Sequence, residues 1–185
     1  LEGKVMAYTL EEFCQDCHTA LTADNGPRGR EAVRGKVEQL LANPDFVSQN
    51  LGADAALGVH TLYKDEDFEF VVLAHVNDKG SSSPPHDHGN SWAVYGQASE
   101  YTDMSEYRRL DDGEGDGEAK LEQIKSYRLT PGKAGLYDVR AIHAINYPEN
   151  TRFVRVTGRE LELEPRLKFD MLANKASYIE SQGVE

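Results

Sequence analysis

The hydrophobic period of the chain changes once, near residue 52. Before it, Leu10, Phe13, Cys14, Cys17 and Leu21 form one set of apolar positions, and Val33, Val37, Leu40 and Leu41 form another. Three- and four-residue spacing of this kind places each set on one face of a helix. Thr9 is the expected N-cap of the first helix, with Glu11 and Glu12 in the first turn, where the helix dipole favours acids. Ala23-Asp24-Asn25-Gly26-Pro27 breaks that helix, and a second spans Arg28 to Leu41. Asn43-Pro44 ends it, because the residue before proline avoids the helical region. A short turn from Pro44 to Gln49 is expected to follow.

Beyond Leu51-Gly52 the helical period disappears. Segments rich in β-branched and aromatic residues take over, and they predict strands at 59–63, 68–76, 91–95, 100–108, 121–129, 135–139, 142–146 and 152–157. Turn sequences separate them: Asn77-Asp78-Lys79-Gly80, the acidic glycine run 111–117, Thr130-Pro131-Gly132 and Tyr147-Pro148-Glu149-Asn150. Many short strands at this spacing predict a mainly β barrel or jelly roll. The run 111–117 reads as a solvated hairpin tip, since it lacks the spacing and closing Glu of an EF-hand calcium loop. The organisation expected is a helical segment over 1–52, a barrel over 53–165 and a tail over 166–185 that packs on the barrel and frays at Ser181-Gln182-Gly183.

Charge narrows the partners. The 185-residue chain carries a net charge of -12, and so acidic a surface repels phosphate backbones and anionic lipid. Neither a nucleic-acid nor a membrane partner is expected, whereas a small anionic substrate is compatible with a local Arg. No apolar run approaches bilayer length, and Leu1 to Met6 lacks the apolar stretch of a secretory signal, so a cytoplasmic location is expected. Cys14-Gln15-Asp16-Cys17-His18 spells a c-type haem attachment motif. Both cysteines nevertheless fall on the apolar face of the first helix, where cysteine acts as a small hydrophobe.

The chemistry lies in the histidines. His86 and His88 flank Asp87, and residues two apart on a strand face the same way. Pro84-Pro85 precede them and cannot donate to a sheet ladder, as suits a barrel rim. His143 lies on a later strand among apolar residues. Three imidazoles on one face suit a first-row transition metal with positions left open for a substrate.

Gly80, His86 and His88, with His143 and Asn146, resemble the two motifs of the cupin superfamily, and Pro131-Gly132 sits before the second as in those proteins. The resemblance covers residues 58–160 and implies a cupin double-stranded β-helix barrel, here with an N-terminal helical segment. Where the cupin Glu ligand belongs, the chain has Trp92 and Ala93, which leaves a three-histidine site. In this the chain resembles the cysteine dioxygenase group of thiol dioxygenases, as does the string His86-Asp87-His88-Gly89-Asn90-Ser91. That resemblance implies Fe(II) as the metal, with dioxygen and a small thiol as substrates; the histidines alone would equally accept Ni, Mn, Zn or Cu. Neutral ligands leave the ion its full charge, which favours an anionic substrate. The family's crosslinking Cys corresponds to Ala93, its carboxylate-binding Arg falls near His60, and its His and Tyr pair falls near Arg155 and Thr157.

Two further residues are candidates for catalysis. Arg155 can offer a fork to a substrate carboxylate. Tyr95 shares a face with Ala93, where its phenol can donate to a bound oxygen species. Trp92 faces the other way, as core or interface. His60 and His75 are candidate lining residues, and Glu100 a distant ligand candidate. The leading reading is a dioxygenase of a small thiol or related organic acid, with L-cysteine disfavoured by the missing Arg and Tyr. The alternatives are a metal cupin of other chemistry (β-diketone cleavage, lyase or isomerase) and a non-catalytic small-ligand binder. Cupins often dimerise, which implies a homodimer through the N-terminal helices.

Overall fold

A capping box fixes the start of the helical part. In the computed structural model, which describes residues 7–180, the Thr9 hydroxyl accepts from the Glu12 N–H (3.2 Å) and the Glu12 carboxylate accepts from the Thr9 N–H (2.8 Å). Helix α1 (Leu10–Ala23) follows, then α2 (Pro27–Leu41) with proline at its first turn. The expected turn at Pro44 is instead a third helix, α3 (Pro44–Leu51). Asn43-Pro44 starts this helix as well as stopping the one before. The Asn43 side chain accepts from the N–H groups of Asp45 and Phe46, and Pro44 fills the position that needs no N–H donor. Leu1 to Met6, read above for a signal, and the fraying expected at Ser181-Gln182-Gly183 lie outside the described residues.

The strands are β1 (Gly58–Lys64), β2 (Val71–Val76), β3 (Ser81–Ser82), β4 (Ala93–Ser99), β5 (Thr102–Arg109), β6 (Gly117–Glu118), β7 (Leu121–Leu129), β8 (Ala134–Tyr137), β9 (Ile142–Tyr147), β10 (Arg152–Thr157), β11 (Leu167–Asp170) and β12 (Lys175–Tyr178). Three expected strand starts move, each for a local reason. Asp65 accepts from the N–H groups of Asp67 and Phe68 and Glu69 takes φ 58°, so a turn delays β2 to Val71. The Ser91 hydroxyl donates to the Trp92 carbonyl, and β4 begins only at Ala93. Glu100 turns the chain at φ 54° and β5 begins at Thr102. The run 111–117 is pinned: Arg109 holds Asp111 and the Gly115 and Glu118 carbonyls, and Asp111 accepts from Gly113 and Lys120.

All strand pairings are antiparallel. One sheet runs β1-β2-β10-β4-β8 and the other β3-β9-β5-β7, and the smaller sheet β11-β12-β6 joins the second through His86, which bridges both His143 and Lys168. The result is a mainly β jelly roll with a helical segment on one side. The central strands of the first sheet, β2, β10 and β4, are buried on both faces. Val72, Ala74, Val76, Val94, Val154 and Val156 face outward into a core shared with the helices, while Ala93, Tyr95 and Phe153 face the barrel interior with Met104 and Tyr137. Phe13, Cys14, Cys17 and Leu21 seal the helical side, and both thiols are free and buried. Burial pushes the Cys14 thiol up to about 12, which makes it an inert core group rather than a nucleophile. Among the described residues no helix is long and apolar enough to cross a membrane.

Candidate metal centre

The two histidine motifs meet backbone to backbone. The His86 N–H donates to the His143 carbonyl (2.9 Å) and the His143 N–H donates to the His86 carbonyl (3.0 Å). The segment bearing His86 and His88 was expected as a strand. It is extended chain in which His86 alone bridges, to His143 on one side and Lys168 on the other, and it is ended by Gly89 at φ 61°. A Cβ at Gly89 would lie 2.7 Å from the Pro165 carbonyl oxygen, so only glycine makes this turn without displacing the tail. Asp87 still points away from its neighbours' imidazoles. Its Oδ1 accepts from the Gly89 N–H (3.0 Å) and the Leu167 N–H (2.9 Å), and its own N–H donates to the Leu167 carbonyl (2.9 Å).

The imidazoles of His86, His88 and His143 converge, with one nitrogen of each within 4.8 Å of the others. His88 Nε2 and His143 Nε2 lie 3.2 Å apart. Two nitrogens that share one ion at ~2.0–2.1 Å with tetrahedral or octahedral angles stand about 3–3.4 Å apart, so this pair fits a common first-row ion. His86 Nδ1 lies 2.9 Å from the Pro84 carbonyl. Donation there carries the proton on Nδ1 and leaves the Nε2 lone pair for the centre. His88 and His143 are 1% and 0% exposed. Burial, then repulsion from the neighbouring imidazoles, holds both well below the usual histidine range, and burial lowers His86 as well. All three are thereby kept in the neutral form that binds a metal. Among the described residues no carboxylate belongs to the set: Trp92 packs in the helix-side core and Ala93 lies in the interior.

The aromatic wall of the site comes from the sheets. Tyr95 lies beside Ala93 in the interior cluster, with its hydroxyl 3.5 Å from His88 Nε2 and its ring edge-on to His143 at 5.5 Å. Arg155 stands opposite Tyr95 on β10, in the inward row with Phe153 and Thr157. Its Nε is buried and has no hydrogen-bond partner among the described residues, and the same holds for Thr157 Oγ1. His75 stacks on Phe153 at 4.5 Å, leaves Nε2 unpartnered, and is pushed down to about 3 by burial and then by Arg155. His60 is not brought to the site. It pairs with Ala74 on the helix side of the sheet, and its Nε2 lies 2.7 Å from the Ala56 carbonyl. Glu100 occupies an exposed turn outside the histidine group.

Several residues of the site escaped the sequence reading. Tyr137 packs against His143 in a tilted arrangement, 4.3 Å between ring centroids. Its hydroxyl meets that of Tyr127 at 2.5 Å, and Tyr127 donates to Glu106 at 3.3 Å. Glu106 lies directly opposite His143 in the β5–β9 register. Period two from the buried Met104 was the available signal for Glu106. Arg166, just before β11, also has a buried, unpartnered Nε.

Fold and centre together define a mainly β jelly roll whose three histidines can hold a metal ion. No family model and no curated protein matches the chain. Among solved structures it is similar to the cupin domain of Schizosaccharomyces pombe Cnp3 (9% identity, 58% of this chain and 66% of that one, TM-score 0.43). It is also similar to KdgF from Halomonas sp. (14% identity, 54% and 76%, TM-score 0.40) and to protein NMB1881 of Neisseria meningitidis (12% identity, 60% and 94%, TM-score 0.40). The chain thus spans just under two thirds of the Cnp3 domain it matches. At these identities and scores the likeness carries nothing about activity.

Proposed function

We propose that the protein is a non-haem dioxygenase of a small thiol or related organic acid, with His86, His88 and His143 as the ligands of Fe(II). The observation that carries this reading is a donor set of three neutral imidazoles with no carboxylate. Bound there, ferrous iron would keep its double charge, offer a seat to an anionic sulfur, and supply the activation of dioxygen. The chain's own residues then have separate tasks. The histidines stay neutral because they are buried. Tyr95 presents a hydroxyl beside His88 Nε2, where a donor can reach the reacting group. Arg155, unpartnered on the inward face of β10, orients a substrate carboxylate by charge-assisted hydrogen bonds. Tyr137 and Phe153 exclude water from that side. Both oxygen atoms of one dioxygen end on sulfur, converting a thiolate to a sulfinate with no external reductant.

The test is anaerobic loading with ferrous iron, followed by oxygen-electrode assays of small thiol acids and of β-diketones, with products read by mass spectrometry. The reading expects oxygen uptake matched by a sulfinate 32 mass units (about, as one O2) above the thiol, and none with His86→Ala. Uptake with β-diketones and carbon–carbon cleavage would replace it by the second cupin chemistry. No stoichiometric metal and no turnover would leave a ligand-binding barrel.

A further inference from the structure

The chain has eleven arginines. Seven of them make ion pairs, Arg140 bonds the Asn90 side chain, and Arg152 bonds the carbonyls of Leu51 and Gly52. Arg155 and Arg166 are left, and among the described residues neither has an ion pair or a side-chain hydrogen bond. Both bury an Nε without a partner. In a protein of net charge -12, carboxylates are plentiful, yet none is placed on these two.

The two arginines reach the same place from different walls. Arg155 is on β10, opposite Tyr95. Arg166 arrives with the segment that pairs with the metal strand: His86 bridges Lys168, and the Leu167 backbone is held on both sides by Asp87. The next position along that antiparallel pairing sets Arg166 beside His88. Electrostatics agree with the geometry. Arg166 is held below the usual guanidinium range by burial first, with Arg155 lowering it further and Glu162 and Asp87 opposing. Two like charges held near a seat for a dication, neither of them in an ion pair among the described residues, form a site waiting for anions.

We propose that Arg155 and Arg166 form a paired guanidinium subsite beside the three histidines, and that the substrate is a small dicarboxylic acid carrying its metal-binding group between or beside two carboxylates. This rests on the reading that the histidines and Arg155 line the substrate site. A monocarboxylate would neutralise one fork and leave the other unpaired in a half-buried position; a dicarboxylate answers both. The selectivity is therefore one of charge number rather than of size.

Isothermal titration calorimetry with succinate and butyrate tests this, because the two share a four-carbon chain and differ in one carboxylate. The full chain is titrated as purified with its metal, and again after chelation, at about 0.1 M salt. The proposal expects succinate to bind at least about tenfold tighter than butyrate in both states, since the arginines do not depend on the metal. It expects Arg166→Gln to bring succinate to the level of butyrate. Arg166→Lys, which keeps the charge and loses the fork, should recover part of the difference. Equal affinity for the two acids in the wild type, or an unchanged succinate preference in Arg166→Gln, overturns it. The wild-type comparison decides even if a variant fails to fold. Oxygen uptake separates this from the parent reading. Preference for succinate without oxidation of any thiol keeps the arginine pair and loses the dioxygenase. Oxidation of 3-mercaptopropionate and mercaptosuccinate at equal kcat/KM, without succinate preference, loses the pair and keeps the dioxygenase.

Discussion

His86 and His143 exchange both backbone N–H groups across one antiparallel bridge. Their positions are thus set by main chain and their ligand role by side chain alone. Replacing either imidazole with a methyl group leaves the bridge in place, so His86→Ala and His143→Ala should keep the far-ultraviolet circular dichroism of the wild type. Elemental analysis should find metal falling from about one ion per chain to near none, as expected when one of three protein ligands is removed. In the wild type, free metal at a hundredfold its Kd should raise stability by about 2.7 kcal/mol, and chelation should remove that increment. Neither variant should respond to chelation in a thermal melt.

Asp87 gives a separate prediction about the support of the centre. Its carboxylate holds the N–H groups of Gly89 and Leu167, and so ties the metal strand to β11. Asp87→Ala should cost about 2–4 kcal/mol, from a lost charge-assisted bond and a buried donor left unsatisfied. Asp87→Asn keeps an acceptor oxygen in place and should cost less than half as much. Urea unfolding of the metal-free proteins separates this from ligand loss, and equal costs for the two variants would refute the hydrogen-bonding role.

What could be read from the sequence follows from how local each cause is. The helix stripe through Phe13, Cys14, Cys17 and Leu21 and the alternation through Ala93 and Tyr95 are set by period, and the structure shows both sets buried. His86, His88 and His143 were legible because a jelly roll returns two strand segments to one wall. The helix at Pro44 was not, since the same Asn-Pro pair that stops one helix caps the next. Glu106 and Arg166 were hidden for a different reason. Glu106 enters through the register of β5 on β9, and Arg166 through the hold of Asp87 on Leu167. Those relations link residues far apart in sequence, and the one local trace, period two from Met104 to Glu106, marks a face without naming its partner.

His75 makes stability depend on pH in a defined direction. Its folded value is pushed down to about 3, by burial first and Arg155 second, from an ordinary 6.5. The unfolded chain therefore takes up a proton that the folded chain refuses. The contribution is fully present above pH 6.5 and is lost as pH falls from 6.5 toward 3. At pH 5 the loss from this one residue is about 2 kcal/mol. Metal-free wild type and His75→Gln, unfolded by urea at pH 7.5 and pH 5, should differ by that much in how far stability drops. Parallel drops would show that His75 is protonated in the fold.

Tyr95 is where the proposed chemistry can be separated from metal binding. Among the described residues its hydroxyl has one hydrogen-bonding neighbour, His88 Nε2 at 3.5 Å. That nitrogen is also one of the pair that fits a shared ion, and once its lone pair is committed to a metal it can no longer accept from a phenol. The hydroxyl is then directed at whatever occupies the open side of the centre. Tyr95→Phe removes only that group, and the ring keeps its packing against Tyr137, Phe153 and His143. Metal content and melting temperature should match the wild type, KM for a thiol acid should change by less than about twofold, and kcat should fall by about 100-fold or more, the usual contribution of a positioned proton donor. The discriminating measurement is steady-state oxygen uptake on protein of verified iron content. A fall in kcat that merely tracks lost iron would reduce Tyr95 to support for His88, while unchanged kcat at full iron would remove it from the reaction.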